Sequence, residues 1–139
     1  MPTWIDFDGV NDRAYGEPVD TLLSGDFTIE IIAEPDTDNA YWFSRGEDNF
    51  FIAAFAGQLS IGSSSGWQRI VTPLSVAGLA AKFRFVHDTS QAGLDRYSIY
   101  KDDVLLATES HVAYSQPPAD TADVIVGQRP TSTPLYDGR

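Results

Sequence analysis

Cysteine is absent from this 139-residue chain. That excludes thiol nucleophiles, thiolate zinc sites and disulfide staples, and it leaves the compartment open, because exported proteins also do without cysteine. Cations are scarce: nine Lys and Arg stand against twenty Asp and Glu, a formal charge of -11. A surface of that sign does not neutralise phosphates, so neither nucleic acid nor an anionic membrane is an expected partner. No apolar run approaches the about 18 residues of a membrane-spanning helix. The opening MPTWIDF has no basic flank ahead of an apolar stretch, so no secretory leader is expected. Histidine is limited to His87 and His111, in different segments, and both are expected to be surface or packing residues. There is no Gly-x-Ser-x-Gly elbow and no glycine-rich phosphate loop ahead of a helix.

Helical periodicity is missing as well, and what replaces it is alternation. Phe27, Ile29, Ile31 and Ala33 fall on one side of a run whose other side carries Thr28, Glu30 and Glu34, the period-two pattern of a half-buried strand, and Pro35 ends it. The same pattern predicts strands over 41–44, 49–55, 58–62, 82–88, 97–101, 104–108 and 124–127, separated by Gly, Pro, Asp and Ser. Residues 74–81 are the one helix candidate, weakened by Val76 and Gly78. Asp102-Asp103, between two strand-like runs, predicts a hairpin turn in which Asp103 stands where Gly would be easier. No repeat, linker or composition break divides the chain. Residues 1–139 are therefore read as one all-β domain, large enough to bury about two thirds of its unfolded surface.

The acid-rich IDFDGVND, residues 5–12, raises metal binding and catalysis. An EF-hand loop needs oxygen ligands at positions one, three and five with glycine at six. After Asp6 and Asp8, Gly9 comes at four and Val10 at five, so the spacing fails. As alternate residues of a strand, Asp6 and Asp8 would share a face about 7 Å apart, a separation open to a carboxylate pair but equally that of a solvated face. The aromatics are the better lead. Trp4, Trp42 and Trp67, with several tyrosines, offer flat faces for sugars or partners. Trp67, after the flexible Gly62-Ser-Ser-Ser-Gly66, is the one expected at the surface.

IDFDGVNDRAYGEP followed by LSGDFTIEIIAEPDT resembles the amino-terminal half of laminin-G-like and pentraxin-like domains in the concanavalin A-like superfamily. FVHDTSQAGLDRYSIYKDDVLLATES is similar to the paired strands of that family, and VIVGQRPTSTPLYDGR to its closing strands. The resemblance implies an antiparallel β-sandwich of jelly-roll topology. It leaves function wide, since the superfamily includes lectins, glycanases, adhesion modules and virion parts. In pentraxin-like members an Asp-Asn pair after a Phe-Ser strand binds calcium, and WFSRGEDNFF places Asp48 and Asn49 there. VIVGQRPT keeps Gln128 but has Arg129, Pro130 and Thr131 where further acids would stand. Calcium takes six to eight oxygen ligands, so the expectation is no metal, with Arg129 pairing with Asp48 in the ion's place; calcium stays the alternative. The glycanase motif of alternating Glu, Asp and Glu is absent, so the chain is not expected to be an enzyme. YDGR at the carboxyl end corresponds to a segment that precedes the family's closing strand, so that strand is expected to be missing or supplied by a partner.

Taken together, these features lead to the expectation of a non-catalytic surface recognition or adhesion module. Its setting is a phage virion as a tail, fibre or decoration component, with a lectin domain of an exported bacterial protein as the alternative and a polysaccharide hydrolase or lyase behind both. The expected binding residues are Arg45, Asp48, Asn49, Trp67, Gln128 and Arg129. Expected partners are a glycan or other protein subunits, in an oligomer or larger assembly.

Overall fold

The computed structural model describes residues 7–8, 14–16, 25–45, 50–63, 68–110, 124–127 and 137–138. They form the strands β1 (Phe7–Asp8), β2 (Ala14–Gly16), β3 (Phe27–Ala33), β4 (Ala40–Arg45), β5 (Phe50–Phe55), β6 (Gln58–Ser63) and β7 (Gln68–Thr72). After these come β8 (Ala81–His87), β9 (Tyr97–Lys101), β10 (Val104–Leu105), β11 (Glu109–Ser110), β12 (Val124–Val126) and β13 (Asp137–Gly138), with one 3-10 turn at Gly93–Arg96. One sheet has the order β10-β9-β8-β3, another β11-β7-β6-β5-β4-β12-β2, and β1 pairs with β13. Every pairing is antiparallel. The chain is thus all-β and fits a two-sheet sandwich. YDGR itself supplies a strand: Asp137 and Gly138 lie opposite Asp8 and Phe7.

Alternation builds the four-stranded sheet. In β3 the side with Phe27, Ile29, Ile31 and Ala33 is covered, and Ile32, on the polar side, is 63 % exposed. In β8 Ala81, Phe83, Phe85 and His87 are buried and alternate with half-buried Lys82, Arg84 and Val86. β4 breaks the rule, since all six of its residues are buried. A bulge explains how. The register with β5 slips between Tyr41 and Phe43, and the extra residue turns both Trp42 and Phe43 into the main core, whereas Tyr41 joins a second cluster with Phe51 and Ala53. Trp42 then meets the other sheet edge-on, with ring centroids 5.0 Å from Phe83 and 6.4 Å from Phe85.

The expected helix over 74–81 does not form. The Asp38 carboxylate accepts hydrogen bonds from the Ser75 hydroxyl and from the Val76 and Ala77 main-chain N–H groups. Gly78, at φ +70°, donates to the Pro35 carbonyl at 2.6 Å, and Val76 is fully buried. The segment is therefore wrapped around Asp38, its donors used across the loop. Those bonds, the Ser75 hydroxyl first, hold the Asp38 carboxyl below its ordinary value.

The turn at Asp102-Asp103 forms as expected. Both residues have positive φ, 49° and 66°, as a two-residue turn matched to sheet twist requires. The aspartates give what glycine could not: Asp102 accepts the Lys82 N–H at 3.0 Å, and Asp103 pairs with the Lys82 ammonium at 2.7 Å. The strain of the turn is thus offset by a tie to β8.

Candidate functional site

Of the residues expected to bind a ligand, Arg45 is the one the structure describes. It ends β4 opposite Phe50 and Val124 and is 2 % exposed, which places it within the fold and away from an open loop edge. Asp48, Asn49, Trp67, Gln128 and Arg129 lie outside the described residues, as does Asp6. Among the described residues no group of three or more His, Asp or Glu could hold a metal ion.

A cleft of ≈ 450 Å³ opens at the end of the four-stranded sheet where β3 begins and β8 ends. The pairing of Phe27 with His87 brings together two segments some sixty residues apart, so that Asp26, just before β3, and Asp88, just after β8, line the same opening with Thr28 and Val86. The floor is aromatic and closed. His87 is 1 % exposed, its ring stacked on Phe27 at 5.0 Å and tilted against Tyr97 at 5.0 Å, and its Nδ1 donates to the Gly25 carbonyl at 2.6 Å. His87 is therefore a packing residue, as expected from the sequence.

The rim is acidic and ordered. One Asp26 oxygen accepts both the Thr89 N–H at 2.7 Å and the Thr89 hydroxyl at 2.6 Å. Asp88 accepts the Ser90 N–H at 2.9 Å and the Ser90 hydroxyl at 2.6 Å, and its second oxygen takes the Gln91 amide at 3.3 Å. The Thr89 hydroxyl, then its N–H, holds the Asp26 carboxyl below its ordinary value, against the like charge of Asp88. The Ser90 hydroxyl does the same for Asp88. Two carboxylates so held stay ionised at neutral pH. They are suited to accepting hydrogen bonds from hydroxyl or ammonium groups and poorly suited to protonating a leaving group.

These shifts carry a sign. A carboxyl whose folded value lies below the ordinary 3.8 stabilises the fold in full above that value and loses the contribution as pH falls through the lower, folded value. The denaturation midpoint of Asp26→Ala is therefore expected to fall below that of the parent at about pH 6, and the gap to narrow as pH falls below the ordinary 3.8. A gap independent of pH would mean that the Asp26 charge is not what holds Thr89.

None of the cleft residues was among the binding residues expected from the sequence. GDFTIE and FVHDTS both show an aspartate beside a strand, but only the pairing of β3 with β8 makes them neighbours. No protein-family model and no curated protein sequence matches this chain.

Proposed function

We propose that this protein is a non-catalytic recognition module, a concanavalin A-like jelly roll that binds glycan as a structural component of a phage virion. The cleft at the end of the four-stranded sheet carries this reading. It sets two ionised carboxylates and the Thr28 hydroxyl beside the apolar Val86 side chain, next to the packed aromatic pair of Phe27 and His87. A sugar presents the complement of that arrangement, hydroxyl donors on its edge and C–H groups on its face. The two-sheet architecture supports the jelly roll, and the resemblance of IDFDGVND and FTIEIIAEP to laminin-G-like domains supports the recognition role. The setting in a virion rests on that resemblance together with an acidic chain free of cysteine.

A glycan array read with and without chelator tests the proposal, repeated with Asp88→Ala and Asp26→Ala. Binding is expected to be insensitive to chelator and to weaken at least tenfold in either variant. The absence of any glycan bound by the parent overturns the glycan role; binding lost on chelation moves the site to the calcium alternative at Asp48 and Asn49. Turnover of a bound polysaccharide would make the protein an enzyme and end the non-catalytic reading.

A further inference from the structure

Two connections cross from one sheet to the other at the same end of the sandwich. Residues 34–39 lead from β3 to β4 and residues 73–80 from β7 to β8, each leaving one sheet and entering the other. The pairing of Ala33 with Ala81 sets the end of β3 beside the start of β8, so the two connections meet there. Residues 73–80, PLSVAGLA, form no strand. Pro73, Ser75, Ala77, Gly78 and Ala80 are exposed; Val76 is fully buried in the main core, and Leu74 and Leu79 pack partly against it. What ties this segment to its neighbour is polar. The Asp38 carboxylate accepts the Ser75 hydroxyl at 2.6 Å, the Ala77 N–H at 3.0 Å and the Val76 N–H, and the Pro35 carbonyl accepts the Gly78 N–H at 2.6 Å. Three of these bonds end on one side chain, and those from Ser75 and Ala77 are open to solvent. Solvent-exposed hydrogen bonds with few buried apolar contacts mark segments that open before the rest of a fold.

We propose that residues 73–80 are a strap that opens as a unit while the sheets stay folded, with the Asp38 carboxylate as the latch that acid releases. The latch works by charge. An ionised carboxylate offers acceptor oxygens to all three donors, whereas a protonated one carries a hydrogen on one oxygen and holds the donors less strongly. The Ser75 hydroxyl, with the two N–H groups, accordingly keeps the carboxyl below its ordinary 3.8 in the closed form. In the open form those bonds are gone and the ordinary value returns. Closure is therefore supported in full above 3.8, and the support is lost as pH falls through the lower, closed value. The strap has no ionisable side chain of its own. The other charged groups on the elements that meet here are Glu34 and Asp36, on the same connection as Asp38, and Lys82 near the start of β8, which pairs with Asp103. Opening carries Leu74, Val76 and Leu79 away from the core, so that the end of the sandwich they cover meets solvent.

The strap lies where β3 ends and β8 begins and the cleft where β3 begins and β8 ends, so the proposal stands apart from glycan binding. Amide hydrogen exchange of the full chain, corrected for the intrinsic rate at each pH, is the measurement. In the parent at about pH 6, Val76 and Ala77 are expected to be protected at least tenfold less than Phe83 and Phe85 in the middle of β8. As pH falls below the ordinary 3.8, they are expected to lose further protection relative to those two. Asp38→Asn keeps an acceptor oxygen but cannot ionise, and its strap amides are expected to show no such acid-dependent loss. Asp38→Ala removes the latch, and at about pH 6 it is expected to lower the protection of Val76 and Ala77 about tenfold with β8 unchanged. Equal protection of strap and β8 amides in the parent overturns the proposal, because the segment would then open only with the whole fold. A strap whose protection acid leaves unchanged relative to β8 overturns it as well. So does an acid-dependent loss that persists in Asp38→Asn, since the carboxylate would not be the latch. The parent and Asp38→Asn decide between these outcomes even where Asp38→Ala does not fold.

Discussion

Trp42→Ala is expected to cost about 3–5 kcal/mol of folding stability, the range for removing a large aromatic from a packed core. Trp42 is 2 % exposed and lies where the two sheets meet, edge-on to Phe83 and Phe85. Its position depends on the bulge in β4: without the extra residue, alternation would put Trp42 in the core but send Phe43 to the other side. Its carbonyl also accepts the Gly127 N–H at 3.1 Å, just beyond β12. The side chain thus supports the contact between sheets and the backbone supports the contact within one. Only the first is lost in the variant. A partial rescue by Trp42→Phe is expected, since a smaller ring keeps an edge-to-face contact of the kind that contributes about 0.5–1.5 kcal/mol. Urea denaturation checks both variants. A loss under about 1 kcal/mol for the alanine variant would mean that the sheets are held together elsewhere.

What could be read in the chain beforehand was local. β3 and β9 were legible because one buried face alternates with one wet face, and the turn at Asp102-Asp103 because two turn-forming residues stand between two such runs. β7, Gln68–Thr72, was not anticipated: Ile70 and Val71 are adjacent, so the segment has no period of its own and takes its register from β6. The expected strand over 104–108 shortens to Val104–Leu105, since pairing with β9 gives out there as a ladder even though Leu106 still donates to the Ile99 carbonyl. The candidate helix failed for a reason sited thirty-odd residues away, in the carboxylate of Asp38. The cleft was hidden in the same way. An aspartate before one strand and another after a second are ordinary turn residues until the sheet order sets them side by side, and no local pattern encodes that order.

Arg45 shows the difference between a residue type and its environment. In sequence, an arginine at the end of a strand, beside Asp48 and Asn49, has the chemistry of a binding loop. In the structure it stands opposite Phe50, a core residue 1 % exposed, and directly opposed residues of neighbouring strands share a face. A guanidinium at 2 % exposure has given up nearly all its water, and it is engaged within the protein. Taking away such a cation opens a void and leaves the groups around it uncompensated, which costs about 3–5 kcal/mol when one partner of a buried interaction is removed. Arg45→Ala is therefore expected to lower the melting temperature by roughly 10 °C or more. Arg45→Met, which refills most of the volume without the charge, is expected to recover part of that loss, and the part it does not recover measures the polar share. Under the proposed glycan role, affinity per folded molecule is expected to stay unchanged in both. The opposite pattern, full stability with binding lost, would return Arg45 to the recognition surface and require β4 to open at its end.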